Sequence, residues 1–189
     1  MQPILVAYGT TEGQTRKIAE FMAERLRIRG HRVDLVDTAS PKAEQVLPIY
    51  QGAMLGGSVH QGRHQTSLMH FLKANRDWLG GMPVGLYSVS LAAALDDMDS
   101  RLEARRMLDE LVDDSGLKPV AQRCIGGALR YTRYDYFKRI FMRMVAGQRG
   151  QATDASKDVE YSDWPDVEAF VDEFLVAAGI SLAATASPS

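Results

Sequence analysis

The chain is nearly devoid of cysteine: Cys124 stands alone among 189 residues. No intrachain disulfide can form, and zinc or iron–sulfur sites that need several thiolates are excluded within a single chain. A lone cysteine fits a reducing compartment, and Cys124, set in an apolar segment, reads as a buried filler rather than a reactive thiol. Long hydrophobic runs are also missing, none approaching the ~20 residues that a membrane-spanning helix needs. The opening Met1-Gln2-Pro3 has no basic region, apolar stretch or cleavage site of a signal peptide, so a cytoplasmic location is expected. Neither charge sign dominates: Lys and Arg number 22 against 24 Asp and Glu, a net charge of −2. That balance gives no global reason to expect nucleic acid as a partner. No metal-ligand set and no acid–base catalyst is assigned.

What is present is ordinary for a folded protein, with 46% hydrophobic and 24% charged residues. The length suits one domain with a core that needs no crosslinks. Pro3 to Tyr8 is a short, continuously apolar run, as expected for a strand covered on both faces. A polar loop with glycine follows, then Ile18, Phe21, Met22, Arg25 and Leu26 at helical spacing, closed by Gly30. Arg32 to Asp37 alternates polar and apolar, as an outer strand does. Ala53 to Gly57 reads as a central strand, and Leu68 to Leu79 as a helix ending at Gly80-Gly81. Pro83 to Ser90 is the next strand, and Arg101 to Val112 a helix with Leu102, Arg105, Leu108, Leu111 and Val112 near one stripe. Pro119 to Gly126 gives a fifth strand, and Asp166 to Ala177 the last helix, with Asp163 as cap and Pro165 in its first turn. The expectation is an α/β fold with five strands in a doubly wound parallel sheet, helices on both faces, within one domain spanning residues 1–178. Residues 130–160 break the rhythm, and 181–189, small and polar, are expected to be disordered.

Ligands of such sheets sit beyond the carboxyl ends of the strands, where strand order reverses. The first loop there is Thr10-Thr11-Glu12-Gly13-Gln14-Thr15. Helix-start amides, three threonine hydroxyls and a glycine that lets a ligand approach the backbone make it a candidate phosphate cradle. It has neither the lysine of a nucleoside-triphosphate loop nor the glycine spacing of a dinucleotide fingerprint, which points to a phosphate monoester. Glu12 is expected to contribute through its backbone only. A hydroxyl-rich capping loop without a ligand is the alternative.

Tyr8 to Ala19 resembles the phosphate loop of flavodoxins: Thr10, Gly13 and Thr15 match a hydroxyl residue, two variable positions, glycine, one variable position and threonine. The wider chain is similar to the menaquinone-dependent protoporphyrinogen dehydrogenases, which are long flavodoxins. The matching stretches are Gly56 to His64, Leu86 to Leu91, Gly126 to Tyr131 with Arg133-Tyr134, and Tyr161 to Trp164. The resemblance implies a flavodoxin-like sheet of order 2-1-3-4-5, with FMN as cofactor between strands 1 and 3. It also implies that Ser58, Val59, His60, Gln61 and Gly62 lie against one face of the isoalloxazine ring. His60 or its neighbours would tune the flavin there, unless His60 and His64 are simply solvated loop histidines. No acid occurs in 58–64, so that loop adds no charge opposing the reduced flavin. Ser90, Leu91, Ala92 and Ala93, followed by Ala94, are small enough for their backbone to meet the pyrimidine edge; the alternative is the first turn of a helix.

Residues 123–149 carry seven basic side chains and one acidic one. Arg130, Arg133, Lys138, Arg139 and Arg143 are interleaved with aromatic and aliphatic residues, so Asp135 to Val145 reads as a basic amphipathic helix. It is expected to dock substrate or the inner membrane surface, the alternative being a helix packed on the domain. The resemblance implies a porphyrinogen donor, whose propionates would suit arginine, and a quinone acceptor. Leu95 to Asp99 departs from the family, which is basic there; repulsion would weaken an encounter with an anionic porphyrin. Two other readings stay open: a flavodoxin-type electron carrier with no small-molecule substrate, and a binding protein that has lost flavin. Self-association into a homo-oligomer is left open as well.

Overall fold

The computed structural model describes residues 2–129, 159–160 and 162–181. Strand β1 (Ile4–Gly9) leads into helix α1 (Gln14–Ile28) and strand β2 (Val33–Asp37). Strand β3 (Gly52–His60) turns back as the short β4 (Arg63–His64) and continues into helices α2 (Thr66–Ala74) and α3 (Arg76–Leu79). Then come β5 (Val84–Ser90), α4 (Met98–Ser115), β6 (Ala121–Gly126), the pair β7 (Ala128–Leu129) and β8 (Val159–Glu160), and α5 (Trp164–Ala177). Five strands pair in parallel in the order β2-β1-β3-β5-β6, while β4 adds antiparallel to β3. With β4 set aside, this is the expected 2-1-3-4-5 arrangement.

The apolar runs become strands because both faces are covered. In β1, Ile4, Val6 and Tyr8 pack under α1 and α5, and Leu5 and Ala7 face the opposite core beneath α2 to α4. The edge strand β2 stays half-exposed, in keeping with its alternating sequence. At the amino-terminal side of the sheet the helices close on themselves. Gly30 takes φ 83°, its amide donating to the Arg27 carbonyl while His31 N–H donates to Leu26, which completes a glycine-terminated helix end. Gly179 ends α5 in the same way. Arg29 clamps α5 to α1 through Glu168 at 3.1 Å and Asp172 at 2.5 Å.

Four local readings change. Ser58 to His60 extend β3 rather than forming a loop, because Ser58 pairs with Val89 of β5 and β4 pairs with the other two (Val59 with His64, His60 with Arg63). The helix expected to run to Gly80 breaks at Asn75, whose side-chain amide takes the Phe71 carbonyl at 2.8 Å and whose Oδ1 accepts from the Trp78 indole. α4 starts earlier than expected, because Asp97 caps it by accepting from Ser100 N–H at 2.9 Å. Its buried stripe is Ala104, Met107, Leu108 and Leu111; Leu102 is 61% exposed and Arg105 lies in solvent, paired with Asp109. Among the described residues no helix is long and apolar enough to cross a membrane.

Candidate cofactor site

At the carboxyl ends of β1, β3 and β5 the chain leaves an open cleft, where small-molecule ligands of such sheets sit. One lip is the first loop, with Thr10, Thr11, Glu12, Gln14 and Thr15 lining the cleft. Gly13 precedes α1 with φ 91°, a left-handed conformation that glycine adopts without strain, and no side chain caps the helix. α4 and α5 are built the other way: Asp97 and Asp163 each accept a backbone N–H at the helix start. Nor does α1 carry an acidic residue in its first turn. Thr10 Oγ1 accepts from Gly13 N–H at 3.0 Å, which folds the turn tightly. Thr15 is wholly buried, and its Oγ1 has no hydrogen-bond partner. A buried hydroxyl left unpaired costs free energy unless a ligand answers it.

Gln14 fixes this lip from below, donating through Nε2 to Ser162 Oγ at 2.9 Å, while Ser162 donates to the Gly126 carbonyl at 2.7 Å. The start of α1 is thereby tied to the end of β6 and to the approach to α5. Arg16 turns away to Glu20 at 2.8 Å. The lip therefore offers amides and hydroxyls rather than a lysine, as the sequence pattern implied for a phosphate monoester.

The second lip is the β3–β4 hairpin, whose Ser58, Val59 and His60 line the cleft. Its turn residues Gln61 and Gly62 have φ 51° and 75°, the sign that a tight two-residue hairpin turn requires. Gln61 is the one non-glycine residue with positive φ among those described. The turn lies beyond the lining residues. His64 is not a solvated loop histidine: its Nε2 and Ser88 Oγ share a hydrogen bond of 2.9 Å, and burial pulls the imidazole down to about 4, against a smaller opposing pull from Asp114.

Val89, Ser90 and Leu91 form the floor and third side of the cleft. Ala92 to Ala94 make a turn of 3-10 helix, begun by the Ser90 hydroxyl, which accepts from Ala93 N–H at 3.2 Å. Ala92 and Ala93 do not line the cleft. Three lining residues escaped the sequence reading: Gln65, Val89 and Gly127. Gln65 donates to Ser58 Oγ at 3.1 Å. It reaches the site because Gly9 and Gly57 let α2 settle onto the sheet edge: a Cβ at Gly57 would stand 2.8 Å from Leu68 Cδ2, and one at Gly9 would stand 3.0 Å from the Gln65 Cβ. Arg130, Arg133, Lys138, Arg139 and Arg143 lie outside the described residues, as does most of the 181–189 tail. No cluster of metal-ligating side chains occurs among the described residues.

Comparison with known proteins decides the family. A family model described as a flavodoxin domain matches residues 5–156. The chain belongs to the flavodoxin domain family. This flavodoxin chain is 29% identical to a protein named protoporphyrinogen IX dehydrogenase [quinone] from Escherichia coli K12, over 89% of this chain and 92% of that one. A protein of the same name from Leishmania major is also 29% identical, over 90% of this chain and 73% of the other. Among solved structures, oxidised flavodoxin 1 from Bacillus cereus superposes with a TM-score of 0.55 at 18% identity, covering 92% of this chain and 97% of that one. A short-chain flavodoxin associated with a bacterial microcompartment gives 0.58 at 14% identity, over 94% and 99%.

FMN is the cofactor that goes with this family, and the residues present fit it. The unpaired Thr15 hydroxyl and the uncapped start of α1 suit its phosphate. Ser58, Val59 and His60 of the hairpin, with Leu91 and Gly127, line the part of the cleft where its ring would lie.

Proposed function

We propose that the chain is an FMN-dependent oxidoreductase that takes electrons from a porphyrinogen and delivers them to a quinone. The observation that carries the cofactor half is the buried Thr15 hydroxyl, left unpaired in the cleft beside an uncapped helix start. The substrate half is supported by relatives of that name that match nearly the whole chain. When bound, FMN supplies the redox chemistry, accepting electrons from one substrate and releasing them to the other. The chain's own residues bind and orient. Backbone amides of Gln14 and Thr15 with the Thr10, Thr11 and Thr15 hydroxyls hold the phosphate, and the hairpin and the Ser90–Leu91 edge keep water from the ring faces. No lining residue is assigned proton transfer.

The stretch 130–149 docks the substrate or the cytoplasmic membrane surface, a role that rests on its sequence alone: six basic side chains among apolar ones suit propionates and anionic headgroups. The test is to load the purified protein with FMN and follow porphyrinogen oxidation without oxygen, with and without a quinone. Flavin absorbance at one FMN per chain and turnover only with quinone are expected. FMN-loaded protein that ignores the porphyrinogen yet exchanges electrons with redox proteins would make the chain a carrier. Deleting 130–149 is expected to abolish quinone turnover while FMN stays bound.

A further inference from the structure

The β3–β4 hairpin projects past the sheet that supports it. β3 pairs with β1 only as far as Gly57 and with β5 only as far as Ser58. Val59 and His60, which face the cleft, have as strand neighbours only His64 and Arg63 of β4. A two-residue antiparallel pair is not stable by itself in water. Behind it, among the described residues, runs an open groove lined by Arg63, His64, Thr66, Arg106 and Asp114. With so little strand pairing, the pose of this lip depends on side-chain tethers. Side-chain hydrogen bonds that tether it include Gln65 to Ser58 at 3.1 Å and His64 to Ser88 at 2.9 Å. The second reaches a rigid central strand, since Ser88 is wholly buried in β5, paired with Gly57 on one side and Cys124 on the other.

We propose that His64 and Ser88 form a latch that holds the β3–β4 hairpin in the pose from which Ser58, Val59 and His60 meet the flavin. His64 is thus a positioning residue, acting through the hairpin rather than touching the cofactor; the flavin half of this inference rests on the proposed FMN function. The uncharged imidazole suits the role, because it can share a hydrogen bond with the buried Ser88 hydroxyl without bringing a charge against it. Gln65 steadies the base of the same hairpin, so releasing the His64 tether loosens the tip first.

The test compares Ser88→Ala, His64→Leu and the double variant with His64→Gln, whose amide reaches about as far as Nε2. Backbone amide exchange over residues 59–64 of the cofactor-free protein is expected to quicken in S88A and H64L, with β1 and β5 unaffected, and to stay slow in H64Q. FMN affinity is expected to fall about tenfold in each apolar variant and no further in the double variant, as for one lost hydrogen bond. The flavin reduction potential and visible spectrum should shift with it, while inorganic phosphate binding at the Thr10–Thr15 turn stays unchanged. Unchanged exchange over 59–64 would overturn the latch whatever the flavin does. Faster exchange with unaltered FMN affinity, potential and spectrum would overturn its positioning role. A wild-type protein that takes up no FMN would overturn the proposed function and the flavin half of the inference together, while the exchange result would still decide whether the latch exists.

Discussion

The two lips of the cleft are made in opposite ways. The Thr10–Thr15 lip is backbone held between a fully buried strand and a long helix, and Thr15 and Gln14 beneath it are buried. The hairpin lip is a projection beyond the parallel sheet, tethered by side-chain hydrogen bonds from Gln65 and His64. The first is as rigid as the core; the second is as rigid as its tethers. An anion that must be gripped needs the first kind of wall. A ring whose electronic properties are tuned by contact can be served by the second, which single substitutions can move.

The largest effect should come from removing the support that both lips share. Gly56 of β3 lies between Tyr8 and Tyr87, and a Cβ there would stand 2.5 Å from the Tyr87 ring, with the Tyr87 backbone closer still. Tyr87 is wholly buried against Phe170 and cannot retreat. Gly56→Ala is expected to cost at least about 3 kcal/mol of stability, seen as a lower denaturant midpoint with loss of FMN binding. Thr15→Val should instead separate the gripping lip from the fold. The valine methyl fills the space of an unpaired hydroxyl, so the cofactor-free protein is expected to gain up to about 1 kcal/mol. FMN affinity should fall about ten- to a hundredfold, because a hydrogen bond to a charged phosphate is lost. Thermal melts without ligand and calorimetric titration with FMN would read the two opposite signs.

The same contrast decides what could be read from sequence. The gripping lip is local: strand, turn and helix follow one another, so Thr10, Gly13 and Thr15 announce it by spacing. The parallel strands are legible because burial on both faces demands unbroken apolar runs. The hairpin is not, since Ser58-Val59-His60 is polar for a strand and Gln61-Gly62 is a weak version of the Asn-Gly turn signal. Gln65 enters the site only because Gly9 and Gly57 let α2 descend, a consequence of packing that no local pattern carries. On α4, Leu102 and Arg105 fit a helical stripe, but the face that meets the sheet carries Ala104 and Met107 instead.

Of the two lips, acid should act on the tethered one. His64 has a folded value of about 4 against 6.5 for a free imidazole, held down by burial. The folded protein therefore binds fewer protons than the unfolded chain between those values, and the stabilisation, complete above about 6.5, is lost as pH falls toward 4. The groups facing the ring across the groove are Arg63, Arg106, Glu110 and Asp114, with Arg106 already paired to Glu110 at 2.7 Å. The loss is at most about 3 kcal/mol, and less after solvent screening. Because the hairpin can open without unfolding the sheet, amide exchange over 59–64 should quicken as pH is lowered from 7 to 5 (after correction for intrinsic rates), while residues 4–9 hold. Equal quickening in both would mean that the lips are not mechanically distinct.

The smallest effect tests why α1 alone among the three long helices starts without a side-chain cap. Asp163 accepts from Asp166 N–H at 3.2 Å and so completes the start of α5 with a group from the chain itself. Asp163→Ala is expected to cost about 1 kcal/mol, visible as a modest drop in melting temperature, with FMN affinity changed less than twofold, because that helix start serves structure only. At α1 no equivalent side chain exists to remove, since Gly13 contributes none. Bound phosphate supplies the missing acceptor, so FMN should raise the melting temperature of the Asp163→Ala protein by as much as it raises that of the wild type. If FMN instead restored the lost stability of α5 selectively, the two helix starts would be linked through the Gln14–Ser162–Gly126 chain rather than independent.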